Sequence, residues 1–352
     1  MTQSVAPAEQ RSGKGPGEVV LEVRNLTKHF PVGTLFRPKA VKALNDVSFT
    51  ISRGQVVALV GESGSGKSTT ARLISRLMPP TSGEIILRGK NVLKTEPHRP
   101  SLSYRKEVQM IFQDPFGSLN PVHTISHHLE RPLEIHKMVT DKNLLGRVHE
   151  LLETVGLTPP DEAARKYPYQ MSGGQRQRVA IARALAVEPE IILADEPISM
   201  LDVSIRMGVL NLMEQLKEER GIGFLYITHD LASARYIGDR TMVMYTGYLV
   251  EAAESRELME QPAHPYTQML MAAVPNPEGG LIKKKAEARG EIPSLTDMPP
   301  GCPFAARCPK VMDICKRSMP GRTQLSQTSD HWVRCHLYGQ GEEKQATTTA
   351  QL

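Results

Sequence analysis

Val56-Val57-Ala58-Leu59-Val60-Gly61-Glu62-Ser63-Gly64-Ser65-Gly66-Lys67-Ser68 decides how this chain is read. Five apolar residues without a polar break predict a short strand buried on both faces. Residues 61–68 then fit the spacing G-x-x-x-x-G-K-[ST], and Thr69-Thr70-Ala71-Arg72-Leu73-Ile74 continues as a helical pattern toward Pro79 and Pro80. Glycines at this spacing let the backbone turn tightly, so that its N–H groups point inward at phosphate oxygens. The helix presents its positive end to the same anion. Lys67 is placed to reach the β- and γ-phosphates of a nucleotide, and Ser68 to ligate magnesium. A glycine-rich loop can arise by chance, but a buried strand before it and a helix after it weigh against that.

Moving outward, Ile191-Ile192-Leu193-Ala194-Asp195-Glu196 is a second apolar run, here ending in two carboxylates. Asp195 is expected to hold magnesium through its water shell, and Glu196 to polarise an attacking water. Leu225-Tyr226-Ile227-Thr228-His229 closes a third run with a histidine, and Val108-Gln109-Met110-Ile111-Phe112-Gln113 a fourth with an amide. Each of these residues has an ordinary structural alternative. Together they lie at the carboxyl ends of predicted strands, where open parallel sheets build their sites. His229 is expected near the γ-phosphate, and Gln113 near both magnesium and the water.

The rest of the chain frames this body. Residues 19–60 alternate apolar and polar and predict strands. From about 122 to 187 the pattern turns helical, as in Leu144–Gly156 and Gln175–Val187. A disordered arm is expected over 1–18, a small appended module over about 262–338, and a flexible tail over 339–352. With 352 residues, 40% of them hydrophobic, the chain can build a substantial core. Its net charge of +5 is modest, and the basic residues are spread along the chain rather than gathered in a stripe, which argues against nucleic acid as a partner. The run Lys283-Lys284-Lys285 reads as a solvated linker. No apolar stretch reaches a membrane span and the N-terminus has no apolar secretory core, so a cytoplasmic chain is expected, with any membrane role arising through partners. The four cysteines, Cys302, Cys308, Cys315 and Cys335, all fall in the appended module. In a cytosolic chain that clustering argues against disulfides and suits one metal centre.

Met171-Ser172-Gly173-Gly174-Gln175, followed by Arg176-Gln177-Arg178-Val179-Ala180, carries a family resemblance. In order with the phosphate loop, Gln113, Asp195-Glu196 and His229, it resembles the ATP-binding cassette ATPases, whose signature is usually Leu-Ser-Gly-Gly-Gln. Met171 departs from it conservatively. The resemblance covers about residues 19–338 and implies an α/β fold. It consists of a P-loop NTPase (RecA-like) core with an antiparallel β subdomain, a helical signature subdomain and a small C-terminal Cys-containing module, the cassette itself spanning 19–261. It implies that Ser172, Gly173, Gly174 and Gln175 act on ATP held by a second cassette, head to tail. Ser199, Leu201 and Asp202 match the D-loop that crosses that interface, with Met200 in place of the usual Ala. Phe30 fits the position that stacks on adenine, beside the bland reading of a core aromatic.

Gln113-Asp114-Pro115-Phe116-Gly117-Ser118-Leu119-Asn120-Pro121 and Gln261-Pro262-Ala263-His264-Pro265-Tyr266-Thr267 look like the Q-loop and His-Pro-Tyr extension of the oligopeptide and dipeptide importer group. The resemblance implies two integral membrane permease subunits, a second cassette that is usually a paralogue, and indirectly an extracytoplasmic substrate-binding protein. It places the chain peripherally on the cytoplasmic face of the membrane. Oligopeptides are the leading substrate, with oligosaccharides and nickel as alternatives. It also implies a [4Fe–4S] cluster on Cys302, Cys308, Cys315 and Cys335, in the spacing C-x5-C-x6-C-x19-C. Zinc, with His331 replacing one cysteine, and four reduced thiols remain alternatives. A soluble cassette ATPase acting on ribosomes or nucleic acid is the competing function. Such chains usually carry two cassettes or long insertions, which this one lacks.

Overall fold

The computed structural model describes residues 17–34, 37–140, 143–273, 293–296, 298–326 and 329–339. Most of the arm expected over 1–18, the Lys283–Lys285 run and nearly all of the 339–352 tail lie outside them. The strands in chain order are β1 (Val19–Thr34), β2 (Arg37–Ser52), β3 (Val56–Val60), β4 (Ser82–Leu87), β5 (Lys90–Asn91), β6 (Val108–Ile111), β7 (Ile191–Asp195), β8 (Gly223–Thr228), β9 (Arg240–Tyr245), β10 (Tyr248–Glu254), β11 (Thr323–Gln324) and β12 (Trp332–Val333). They form two sheets. The smaller, ordered β2-β1-β4-β5, is antiparallel throughout.

The larger sheet runs β11-β12-β10-β9-β3-β8-β7-β6. Its five members β9, β3, β8, β7 and β6 are parallel. Of these, β3, β6, β7 and β8 are the strands read from the sequence, and β3, β7 and β8 are buried at every position. Alternate residues serve opposite faces: Val56, Ala58 and Val60 join the core beneath the helical segment, while Val57 and Leu59 join the core shared with the antiparallel sheet. The remaining three strands pair antiparallel. In particular, Trp332 and Val333 of β12 pair with Ala252 and Glu251 of β10, so residues about 80 positions further along the chain widen the main sheet.

Between β6 and β7 the chain is helical, with helices at Ile125–Ile135, Leu144–Thr154, Pro160–Arg165 and Gly173–Leu185. Buried Leu129, Leu133, Val148, Leu151 and Leu152 line the faces that pack together. The helix after the phosphate loop spans Lys67–Ile74 and stops short of the prolines. Arg76 takes a left-handed φ of 56° and donates a hydrogen bond to the Val92 carbonyl, turning the chain before Pro79 is reached.

Candidate functional site

The spatial order β3-β8-β7-β6 brings the four strand ends singled out in the sequence side by side. At the end of β3 the loop turns back on itself. Gly66 stands at φ 110°, and a Cβ there would come within 2.7 Å of the Ala43 carbonyl oxygen. Only glycine meets both demands. No side chain caps the first turn of the helix Lys67–Ile74 and none of its residues is acidic, so the positive end of the helix is left unscreened. The Lys67 ammonium donates to the carbonyls of Gly61 at 2.7 Å and Glu62 at 2.9 Å, which holds it at the mouth of the loop. Burial lowers its pKa, against the opposing pull of Glu196, Asp195 and Glu62. Ser65 Oγ is buried without a hydrogen-bond partner. A buried ammonium, an orphaned hydroxyl and an open helix end together fit an anion of phosphate type.

Asp195, 3% exposed, accepts from Ser68 Oγ at 2.9 Å. Burial raises its pKa, with the neighbouring Glu196 adding to the rise and Ser68 opposing it. A buried carboxylate beside a hydroxyl has the hard-oxygen chemistry that suits magnesium. Glu196 follows at a left-handed φ of 47°, a backbone state that costs a non-glycine residue of order 1 kcal/mol. That turn points its carboxylate along the row of strand ends. Gln113 Nε2 donates to Oε2 at 3.2 Å, and His229 Nδ1 lies 3.2 Å from Oε1. The structure thus gathers Lys67, Ser68, Gln113, Asp195, Glu196 and His229 into one row.

The other expected residues sit elsewhere. Ser172 caps the helix Gly173–Leu185. Its Oγ accepts from the Gln175 N–H, while Gln175 Oε1 accepts from the Ser172 N–H. A Cβ on Gly174 would meet Ile205 Cγ2 at 2.5 Å, and one on Gly173 would meet Leu201 Cδ2 at 3.8 Å. The signature is therefore packed against the 199–205 segment. Met171 is buried, whereas Met200 is 55% exposed. Ser199 Oγ donates to the Glu196 carbonyl, and Asp202 is the N-cap residue of the helix Val203–Arg220. Phe30 lies on β1 opposite Val41, with the Lys28 ammonium 5.0 Å from its ring centre.

The four cysteines are free and all line one small cavity, together with His264, Phe304 and Leu337. Burial pushes the Cys302 thiol up to about 12, and the neighbouring thiols of Cys315, Cys335 and Cys308 add to the rise. Burial also raises Cys308 and Cys335. Among the described residues, however, no group of three or more His, Cys, Asp or Glu side chains is placed to hold a metal ion. The thiols converge on the cavity, though not at the spacing of ligands to a single metal ion. His331 is corrected as a zinc ligand. Its Nε2 lies 2.9 Å from Glu251 Oε1 and its Nδ1 3.2 Å from Glu257 Oε1, so both ring nitrogens are taken.

Comparison with known proteins agrees with this layout. A family model described as ABC transporter matches residues 44–199. The oligopeptide transport ATP-binding protein AppF of Bacillus subtilis (strain 168) is 44% identical over 326 residues, which cover 91% of this chain and 98% of that protein. The chain belongs to the ATP-binding cassette family of transporter ATPases. A second model, described as the oligopeptide/dipeptide transporter C-terminal region, matches residues 250–315 of the cassette chain. The oligopeptide transport ATP-binding protein OppF of the same organism is 48% identical over 287 residues, covering 81% of this chain and 91% of that one. Among solved structures, the ATP-binding cassette MJ0796, a dimer in a post-hydrolysis state bound to ADP and Pi, matches with a TM-score of 0.59 and 32% identity. It covers 67% of this chain and 99% of that one. The cassette is an ATPase, and no helix among its described residues is long and apolar enough to cross a membrane.

Sequence reasoning missed two contacts on the phosphate loop. The Glu62 N–H donates to Tyr266 Oη at 2.9 Å, and Arg307 forks onto the Glu62 carboxylate at 2.7 and 2.9 Å. Partners 204 and 245 residues away leave no local signal, although Tyr266 belongs to the His264-Pro265-Tyr266 motif.

Proposed function

We propose that this chain is the ATP-hydrolysing subunit of an importer for oligopeptides or dipeptides, seated peripherally on the cytoplasmic face of the membrane. The observation that carries the reading is the row Lys67, Ser68, Gln113, Asp195, Glu196 and His229 in a chain whose residues 250–315 match the oligopeptide/dipeptide transporter C-terminal region. Residues 61–69 cradle the phosphates, with Lys67 on the β- and γ-oxygens. Phe30 stacks on adenine. Ser68, Gln113 and Asp195 hold magnesium, which when bound neutralises charge developing on the transferred phosphate. Glu196 takes the proton of the attacking water. Gln113 and His229, both within hydrogen-bond reach of its carboxylate, hold that carboxylate, with Gln113 also meeting the water and His229 the γ-phosphate.

Ser172, Gly173, Gly174 and Gln175 complete the site of a second cassette, a paralogue, while Ser199, Leu201 and Asp202 lie across the shared interface. Two membrane permease subunits receive the stroke, and an extracytoplasmic binding protein delivers the substrate to them. The division into a cassette over 19–261 and an extension over 262–338 follows the same reading. A [4Fe–4S] centre on Cys302, Cys308, Cys315 and Cys335 is supported by the convergence of the four thiols on one cavity. Iron and labile sulfide in anaerobically purified protein test it, and the absence of both removes it. The function itself is tested by purifying the tagged chain from membranes. Two membrane subunits and a second cassette are expected to accompany it. Recovery with ribosomes or DNA would overturn the reading.

A further inference from the structure

The phosphate loop is held from outside by the C-terminal extension. Arg307, 8% exposed, places Nη1 and Nη2 at 2.7 and 2.9 Å from the two carboxylate oxygens of Glu62. This is a planar fork on a carboxylate, stronger and more directional than a single charged contact. Its Nε is buried without a partner, so the guanidinium occupies this position at a cost that the Glu62 pair offsets. Tyr266 adds a bond of a different kind, its hydroxyl accepting from the Glu62 backbone N–H at 2.9 Å.

The supports of these two side chains are themselves packed and hydrogen-bonded. Tyr266 is fully buried against Tyr245 and Phe304, with ring centres 4.6 and 5.4 Å away, and its N–H donates to His264 Nδ1 at 3.0 Å. Arg307 ends the turn Ala305–Arg307, where its N–H donates to the Phe304 carbonyl at 3.0 Å. Glu62 is therefore gripped at its backbone and its side chain by residues from two segments of the extension. The same residue's carbonyl accepts from Lys67 Nζ at 2.9 Å and from the Ser65 N–H at 3.2 Å. Any displacement of Glu62 thus reaches the ammonium and the turn that face the phosphates.

We propose that Tyr266 and Arg307 are positioning residues for nucleotide binding, clamping the phosphate loop at Glu62 in its binding-competent shape. The inference rests on the assignment of residues 61–68 as the nucleotide cradle. It does not depend on the transported substrate, the membrane partners or the state of the cysteines. A loop whose competent shape is populated only part of the time binds with proportionally weaker apparent affinity. Loss of the clamp therefore acts on affinity before it acts on the chemical step.

The test measures the dissociation constant for a fluorescent ADP analogue in the purified full-length chain, and the KM and kcat for MgATP in the transporter complex assembled with its second cassette. The variants are Arg307→Met, Arg307→Lys, Tyr266→Phe and the exchange Glu62→Arg/Arg307→Glu. Arg307→Met is expected to weaken nucleotide binding and raise KM roughly five- to thirtyfold, with kcat within about twofold of wild type. Tyr266→Phe keeps the buried ring and removes only the acceptor, so a smaller rise of about two- to fivefold is expected. The exchange should recover part of the affinity lost in Arg307→Met. Affinities within about twofold of wild type in both Arg307→Met and Tyr266→Phe, with only the melting temperature lowered, would mean that these residues merely staple the extension, and would overturn the proposal. If Arg307→Met does not fold, Arg307→Lys and Tyr266→Phe decide by the same criterion. If the wild-type chain itself binds no nucleotide, the cradle assignment fails, which is a separate outcome.

Discussion

Replacing Glu196 by Gln separates chemistry from binding at this site. The substitution preserves shape and removes one charge from a carboxylate that Gln113 and His229 both approach at 3.2 Å. A glutamine can accept from one of these neighbours but presents its N–H₂ to the other, and it cannot take a proton from water. Loss of a positioned general base is worth roughly a hundred- to ten-thousandfold in rate, or about 3–5 kcal/mol of barrier. The electrostatic side effects oppose one another. Without Glu196, Asp195 loses a neighbour that disfavours its ionised form, which helps magnesium, while Lys67 loses a neighbour that favours its charged form. Nucleotide affinity should therefore stay within about threefold of wild type. Steady-state phosphate release measures the first quantity and analogue binding the second. Size-exclusion chromatography with ATP should show the two-cassette assembly accumulating. Turnover within about threefold of wild type would refute the assignment of Glu196 as base.

Gly174→Ala drives a methyl against Ile205 Cγ2, an overlap worth about 1–3 kcal/mol. It should leave single-chain nucleotide binding intact while lowering ATPase activity of the assembled pair at least about tenfold. Gly301→Ala would overlap the Cys315 carbonyl, which also accepts from the Cys302 N–H at 2.7 Å. All four thiols should then react with a disulfide reagent faster than in the wild-type chain. His264, buried to 1% exposure, has its pKa lowered from 6.5 to about 4 by burial, and its Nδ1 accepts from the Tyr266 N–H. The unfolded chain binds the extra proton between those values, so stability is full above pH 6.5 and falls by up to roughly 3 kcal/mol as pH drops toward 4. Denaturant midpoints from pH 7 to 4.5 check this, and His264→Gln should flatten the acid limb.

The central strands β3, β6, β7 and β8 and the row of polar ends are legible because each signal is local. An apolar run such as Ile191–Ala194 followed by Asp195 marks a buried strand and its end without knowledge of what lies beside it. Adjacency was not legible: that β8 lies between β3 and β7 follows from pairing, not from any residue in β8. Glu62 reads as an unconstrained position of the loop motif, and nothing near it announces Arg307. β12 is two residues long, too short to show any periodicity, so its place beside β10 could not be foreseen. His331 offered metal-ligand chemistry in sequence, and the carboxylates that occupy both its nitrogens lie 80 and 74 residues away.

The Glu251 carboxylate, fully buried, accepts from the Ala263 and His264 N–H groups at 2.7 and 2.9 Å, and from His331. During synthesis these partners emerge only after the strand that carries Glu251. Without these partners β10 would carry an uncompensated carboxylate into the main sheet, which is costly. The interior of the main sheet is thereby fastened to His331, 80 positions further along the chain, so that strand and extension share one buried charge network.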